Sequence, residues 1–201
     1  MVADKNTRLE AHERRAQLLE TARGVFGEHG FSATSMNDIA KAAGVTKPVL
    51  YQHFASKHDL FLEVLVETTE ELENSLTERI VSGTSPRDQV ERGVHAYVSY
   101  FEENPYRFQI LYGEGVLSDP IFSERLYRVE ESFHEFAAAQ FVSTTVLDQA
   151  RRLTVAHVIT GALQNAVGRW IDSEQKLGAS ALAETLASVL WAGLRSSPST
   201  S

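Results

Sequence analysis

The chain has 201 residues, 43% of them hydrophobic, a formal net charge of −8 and no cysteine. This is the composition of a folded globular protein of one medium domain or two small ones, and it excludes a disulfide framework and a thiolate metal site. No apolar run approaches the roughly 20 residues of a membrane-spanning helix, and the N-terminal stretch MVADKNTRLEAHERR lacks the apolar core of a secretory signal. The expected location is the cytoplasm, with no membrane partner.

The acidity is unevenly spread. Residues 1–65 carry eight Lys/Arg and eight Asp/Glu, so the whole excess of negative charge lies beyond them. Contact with nucleic acid is therefore not excluded by the net charge but is confined to the N-terminal part. Four of the seven histidines (His12, His29, His53 and His58) also lie there.

Taken in order, every periodic segment is helical and none alternates with period two. After a loose polar start, Leu18, Leu19, Ala22, Val25 and Phe26 form the stripe of a first helix that stops at Gly30, with Phe31 tucked under the following turn. Ser35 and Asp38 make a capping box for a second helix presenting Met36, Ile39, Ala40 and Ala43. Gly44 ends that helix, since glycine enters the left-handed region without steric cost. Thr46 caps the third helix and Pro48 suits its first turn, where an N–H would have no partner. Leu50 and Phe54 point to the core, while Lys47, Val49, Gln52 and His53 face outward. The pattern is a helix-turn-helix with a short, polar-tipped second member.

Ser56 and Asp59 cap a fourth helix carrying Leu60, Phe61, Val64, Leu65, Leu72, Leu76 and Ile80. At twenty-five residues it would be about 37 Å long, too long for the head alone, and it reads as a connector to a second domain. Segment 82–86 breaks it, and Ser85-Pro86 starts a helix with Val90, Val94, Tyr97, Val98 and Phe101. Asn104-Pro105 leads to a short YRFQILY segment, and GEGVLSDP (113–120) reads as a flexible break. Asp119-Pro120 opens a helix with Leu126, Val129, Phe133, Phe136 and Phe141; two more follow at about 148–171 and 179–195, then a frayed SSPSTS tail. The expected fold is all-α with nine helices: a helix-turn-helix head at 1–58, of the type that binds DNA, and a second helical bundle at 59–201.

The head resembles the TetR family of transcriptional regulators. The resemblance rests on Gly30-Phe31, Ser35-Met36, Ile39-Ala40, Ala43-Gly44-Val45-Thr46, Leu50-Tyr51, His53-Phe54 and Lys57, covering about residues 15–65. It implies phosphate contacts from Ser35, Thr46, Lys47, Tyr51, His53 and Lys57, and base reading from Lys47, Pro48, Val49 and Gln52. The chemistry agrees: hydroxyls and ammonium groups position a protein on phosphates, and Gln, Lys or an apolar tip can read adenine, guanine or a thymine methyl. A hairpin used only for packing would not need Lys, Tyr, Gln and His clustered outward at one helix tip. The family also implies an operator DNA partner, a homodimer and a small-molecule effector.

Candidates for effector binding are the aromatics Tyr97, Tyr100, Phe101, Phe108, Tyr112, Phe122, Phe133 and Phe136, with His95, His134, Asn165 and Arg169 as polar residues of the same interior. Such a pocket suits a lipophilic or aromatic ligand, although aromatics at helical spacing also serve as ordinary core. The last two helices are rich in small residues (Ala156, Gly161, Ala162, Ala166, Gly168, Ala183, Ala187, Ala192 and Gly193), which suits close packing with a symmetry mate. Glu131 and His134 form a single Glu-x-x-His. A di-iron bundle needs a second such motif and two further carboxylates, so no metal and no cofactor are expected. Phosphate-binding loops and nucleophile elbows are missing from the sequence, and an enzyme is not expected. The reading is a repressor released by its effector; the alternatives are a ligand-independent architectural DNA binder and an α-helical enzyme or carrier.

Overall fold

The computed structural model describes the backbone of residues 2–141, 148–173 and 177–195, and the side chains of 12–136, 148–173 and 177–195. Among these residues the helices are α1 (Val2–Ala33), α2 (Met36–Ala42), α3 (Lys47–His53), α4 (Lys57–Val81), α5 (Pro86–Glu103), α6 (Tyr106–Tyr112), α7 (Glu114–Ser118), α8 (Pro120–Phe141), α9 (Gln149–Asp172) and α10 (Ala179–Arg195). No strand occurs among them, and no described helix is long and apolar enough to cross a membrane. Two local expectations change. The polar start is helical, in keeping with its content of Ala, Leu, Glu and Arg, all good helix formers. The expected break at 113–120 contains the short helix α7, with Gly113 at its N-cap. Phe141 and the SSPSTS tail lie outside the residues whose side chains are described.

The chain divides into two compact units, one of Met1–Thr69 with Tyr106–Leu126 and one of Glu70–Pro105 with Tyr127–Ser201. Residues 106–126 thus pack with the head.

In the first unit Leu18, Leu19, Ala22 and Phe26 form the buried stripe of α1, and the helix geometry breaks at Gly30, whose φ is +77°. Phe31 does tuck under the turn. Its ring lies 4.9 Å from Phe61 and 5.0 Å from Phe122, and Phe26 meets Phe61 edge-on at 4.9 Å. Ring pairs of this kind add about 0.5–1.5 kcal/mol each beyond area burial. His58 stacks on Phe122 at 4.3 Å and pairs with Asp119 at 3.3 Å. Asp119 also accepts from the N–H groups of Ile121 and Phe122 at the start of α8. Helices α1 and α6 approach so closely at Gly27 that an added Cβ would lie 2.5 Å from the Tyr106 ring.

In the second unit α5 buries Val90, Val94, Tyr97, Val98 and Phe101 and packs against α10, which buries Leu182, Ala183, Ala187, Leu190 and Leu194. From α9, Ala156, Leu163 and Val167 join this core. The Trp170 indole N–H donates to the Leu177 carbonyl at 2.7 Å, tying the end of α9 to the approach to α10.

Candidate nucleic-acid interface and effector region

The helix-turn-helix is held by short-range chemistry. Ser35 and Asp38 form a complete capping box at α2, and the Ser35 hydrogen bonds, chiefly that of its side chain, hold the Asp38 carboxyl below its ordinary range. At the other end of α2, Gly44 (φ +66°) permits the reversal. The Val45 N–H bonds to the Ala40 carbonyl at 3.0 Å and the Gly44 N–H to Lys41 at 3.1 Å, a Schellman closure. Thr46 takes the N-cap position of α3 with no side-chain capping bond. This corrects the expectation that its hydroxyl caps the helix: the backbone turns without it, and the exposed hydroxyl is available elsewhere.

A single residue, Leu50 at 0% exposure, anchors the inward face of α3, and Phe54 just after it is 2% exposed. Helical geometry then turns Lys47, Pro48, Tyr51 and Gln52 outward, with Val49 and His53 half-buried beside them. Tyr51 is 48% exposed, which is unusual for a ring that could have joined the core. The Arg15 guanidinium covers the Phe54 ring at 4.8 Å and pairs with Glu63. Arg23, itself buried, pairs with Glu67 at 2.9 Å. These two ion pairs brace α1 against α4 behind the recognition helix.

Lys57 behaves differently from the expectation. Its ammonium donates to the carbonyls of Phe31 and Thr34, both at 2.9 Å, and sits 4.2 Å from the centroid of the Phe31 ring. Two of the three ammonium donors thus hold the loop that enters α2. The ring face favours the same inward position.

Residues 18–64 match the family model described as bacterial regulatory proteins, tetR family. The HTH-type transcriptional activator FasR of Mycolicibacterium smegmatis is 26% identical over 98% of this chain and 90% of its own. A probable acrEF/envCD operon repressor of Escherichia coli is 28% identical over 83% of this chain and 80% of its own. The crystal structure of a TetR-like transcriptional regulator from a Rhodococcus species superimposes with a TM-score of 0.77 at 26% identity, covering 91% of this chain and 96% of that one. Residues 18–64 form a TetR-family DNA-binding domain, and the rest of the chain is similar to TetR-like regulators. The protein is a DNA-binding transcriptional regulator, with a helix-turn-helix head and a helical C-terminal part.

The effector candidates are divided between the two units. Phe108 and Tyr112 pair at 4.9 Å on α6, in the first unit. In the second unit Tyr97 and Tyr100 each meet Phe101 edge-on, at 5.0 and 5.1 Å, and all three are buried as core. Phe133 and Phe136 are half-buried on α8, 6.1 Å apart. Asn165 and Arg169 stand exposed on α9 and so do not join an interior. The buried residues nearest them on that helix are Leu163 and Val167, two positions away, which places Asn165 and Arg169 on the opposite side.

His134 is a satisfied core histidine. Its Nε2 is 2.7 Å from the Thr160 hydroxyl, and the His157 ring lies edge-on to it at 4.3 Å. Burial, with His157 as a second cause, lowers its pKa to about 4. One helical turn earlier, burial pushes Glu130 up to about 7. Glu131 is exposed whereas His134 is buried, so the Glu-x-x-His does not converge on one point. Among the described residues there is no group of three metal-ligating side chains.

His95 and Tyr100 do line a cleft, of about 250 Å³, together with Ser75, Arg79, Arg92, Ala96, Ser99 and Glu103. The sequence reading singled out neither arginine. The available signal was the spacing of 92, 95, 96, 99, 100 and 103, which places them on one face of α5.

Proposed function

We propose that the protein is a homodimeric repressor whose α3 reads operator half-sites and whose affinity for them falls when a small molecule binds the second unit. The observation that carries the DNA-reading part is the outward set Lys47, Pro48, Tyr51 and Gln52 around the single buried anchor Leu50. Packing does not account for that set, and its chemistry suits phosphates and base edges. In this reading Thr46, Lys47, Tyr51, His53 and Ser35 hold phosphates, while Lys47, Pro48, Val49 and Gln52 meet bases. Lys57 acts by positioning the loop before α2. The division of labour runs between a DNA-binding head (1–58) and a regulatory part (59–201), and α4, which begins in the first unit and continues into the second, carries the effector's influence to the head.

The dimer rests on a surface that single-chain packing leaves bare. Ala156, Ala183 and Ala187 are consumed by the intramolecular core. Gly161 and Ala162 on α9 are exposed, as are Ala181 and Ser188 on α10. Val158 and Val189 are 63% and 66% exposed on the same two helices. Small and β-branched residues along two helices suit close packing against a second copy.

Selection of binding sites from random duplexes, followed by fluorescence anisotropy, tests the reading. Paired half-sites in inverted orientation, spaced by about one helical turn or a multiple (~34 Å each), are expected. Failure to enrich any sequence would overturn it. Gln52→Ala should relax preference at one or two base pairs, by about 1–3 kcal/mol of discrimination, with unchanged thermal stability. Transcription in vitro from a promoter overlapping the selected site should fall on adding the protein, and a rise would reverse the assigned sign.

A further inference from the structure

We infer that the cleft between α4 and α5 seats a phosphate-bearing head group, which deepens the effector reading above and rests on it. The cleft lies wholly within the second unit. Ser75 and Arg79 face it from α4, one turn apart, and Arg92, His95, Ser99, Tyr100 and Glu103 face it from α5. The chain beyond residue 65 carries eleven Lys/Arg against nineteen Asp/Glu, so two arginines and an imidazole around one concavity run against the local trend. Arg79 has no carboxylate partner among the described residues, and Arg92 gives its Nε to Asp88 at 2.9 Å. A guanidinium has five N–H donors in a planar fork, so both groups keep donors for a ligand.

The donor set selects the anion. Guanidinium forks from two helices, with two serine hydroxyls in the same lining, suit a tetrahedral group with three or more acceptor oxygens. A planar carboxylate offers two oxygens and would satisfy one fork. Glu103 opposes the bound charge, and the two arginines outweigh it. A volume of about 250 Å³ is below the roughly 300–1,000 Å³ of pockets that enclose a drug-sized ligand. The cleft therefore takes either a small free phosphate or the head of a larger amphiphile.

Titration calorimetry on the full-length protein with inorganic pyrophosphate, decyl phosphate and decanol tests this. Pyrophosphate and decyl phosphate should bind and decanol should not. Arg79→Ala and Arg92→Ala should each weaken binding about tenfold or more, and Arg79→Lys, which keeps the charge without the fork, should weaken it less. All three variants should melt close to the parent and bind unliganded operator within about twofold of it, since neither arginine belongs to the DNA-contact set. Tighter binding of decyl phosphate than of pyrophosphate identifies an amphiphile head, and equal binding identifies free phosphate. If neither phosphate binds, if decanol binds as well as decyl phosphate, or if binding survives both alanine variants unchanged, the assignment falls. Arginine-dependent binding that leaves operator affinity unmoved keeps the cleft and refutes control through it. Operator release by some other ligand, with no phosphate binding, does the reverse.

Discussion

The recognition hairpin and the second unit use their side chains in opposite ways. In α3, one leucine is buried, Val49 and His53 are half-buried and the other four residues are left outward, so the chemistry of those four has no packing explanation. In α5, seven residues are buried, among them all three rings that looked like ligand contacts. A polar tip on a pinned helix is a surface that packing does not explain. An aromatic stripe is evidence of a core until the structure leaves a space beside it, and here the space lies beside Tyr100 alone of the three rings, with arginine, histidine and serine around it.

The largest test of this contrast is Leu50→Ala. Removing a fully buried leucine should cost about 2–5 kcal/mol and abolish operator binding with it, because α3 has no second anchor; calorimetric unfolding and anisotropy measure both. Operator binding that survived a loss of that size would show that the tip does not depend on its single anchor.

Next comes the buried pair on α8. His134 is held neutral down to about pH 4, against about 6.5 when unfolded. The unfolded chain binds the extra proton between those values, so this group's contribution is fully present above pH 6.5 and is lost as pH falls toward 4, by about 3 kcal/mol in all. Glu130, raised to about 7, has the opposite sign. The folded chain holds its proton between about 4.5 and 7, and stability declines as pH rises through that window. Together the two should nearly cancel between pH 4.5 and 6.5. Denaturant melts of Glu130→Gln should show stability rising with pH there, and melts of His134→Gln should show it falling. Parallel profiles would refute the opposed burial of the two groups.

Gly27→Ala sharpens the contrast from the packing side. The added methyl group would meet the Tyr106 ring at 2.5 Å, and overpacking of this kind costs about 1–3 kcal/mol. A lowered melting temperature is expected, and Gly27→Ala with Tyr106→Leu should recover part of it. The smallest effect expected is that of Lys57→Met. Losing two charge-assisted bonds to the Phe31 and Thr34 carbonyls should reduce the stability of the head by about 1–3 kcal/mol. The slope of operator affinity against salt should stay unchanged, because that slope counts phosphate contacts; a slope shallower by about one would return Lys57 to the phosphate-contacting set.

The hairpin was legible because its determinants are local. Ser35 with Asp38, Gly44 and Pro48 act over one to five residues, and each left its mark in the order of residue types. The placement of Lys57 was not legible for the converse reason: its partners lie 26 and 23 residues earlier in the chain. An inward ammonium cannot be told from an outward one by periodicity. The same limit hid Arg15 over Phe54, the contact of Gly27 with Tyr106, and the packing of residues 106–126 with the head.

By itself, then, the sequence determined the all-helical class and the helix-turn-helix with its outward tip, since caps, breakers and 3.6-residue periodicity are properties of neighbouring residues. Only the tertiary structure decided which small residues of α9 and α10 are buried and which stay bare. It also decided that the three rings of α5 are core, and that Arg79 and Arg92 share a cleft. Those outcomes depend on which helix faces which, and that is settled by long-range packing.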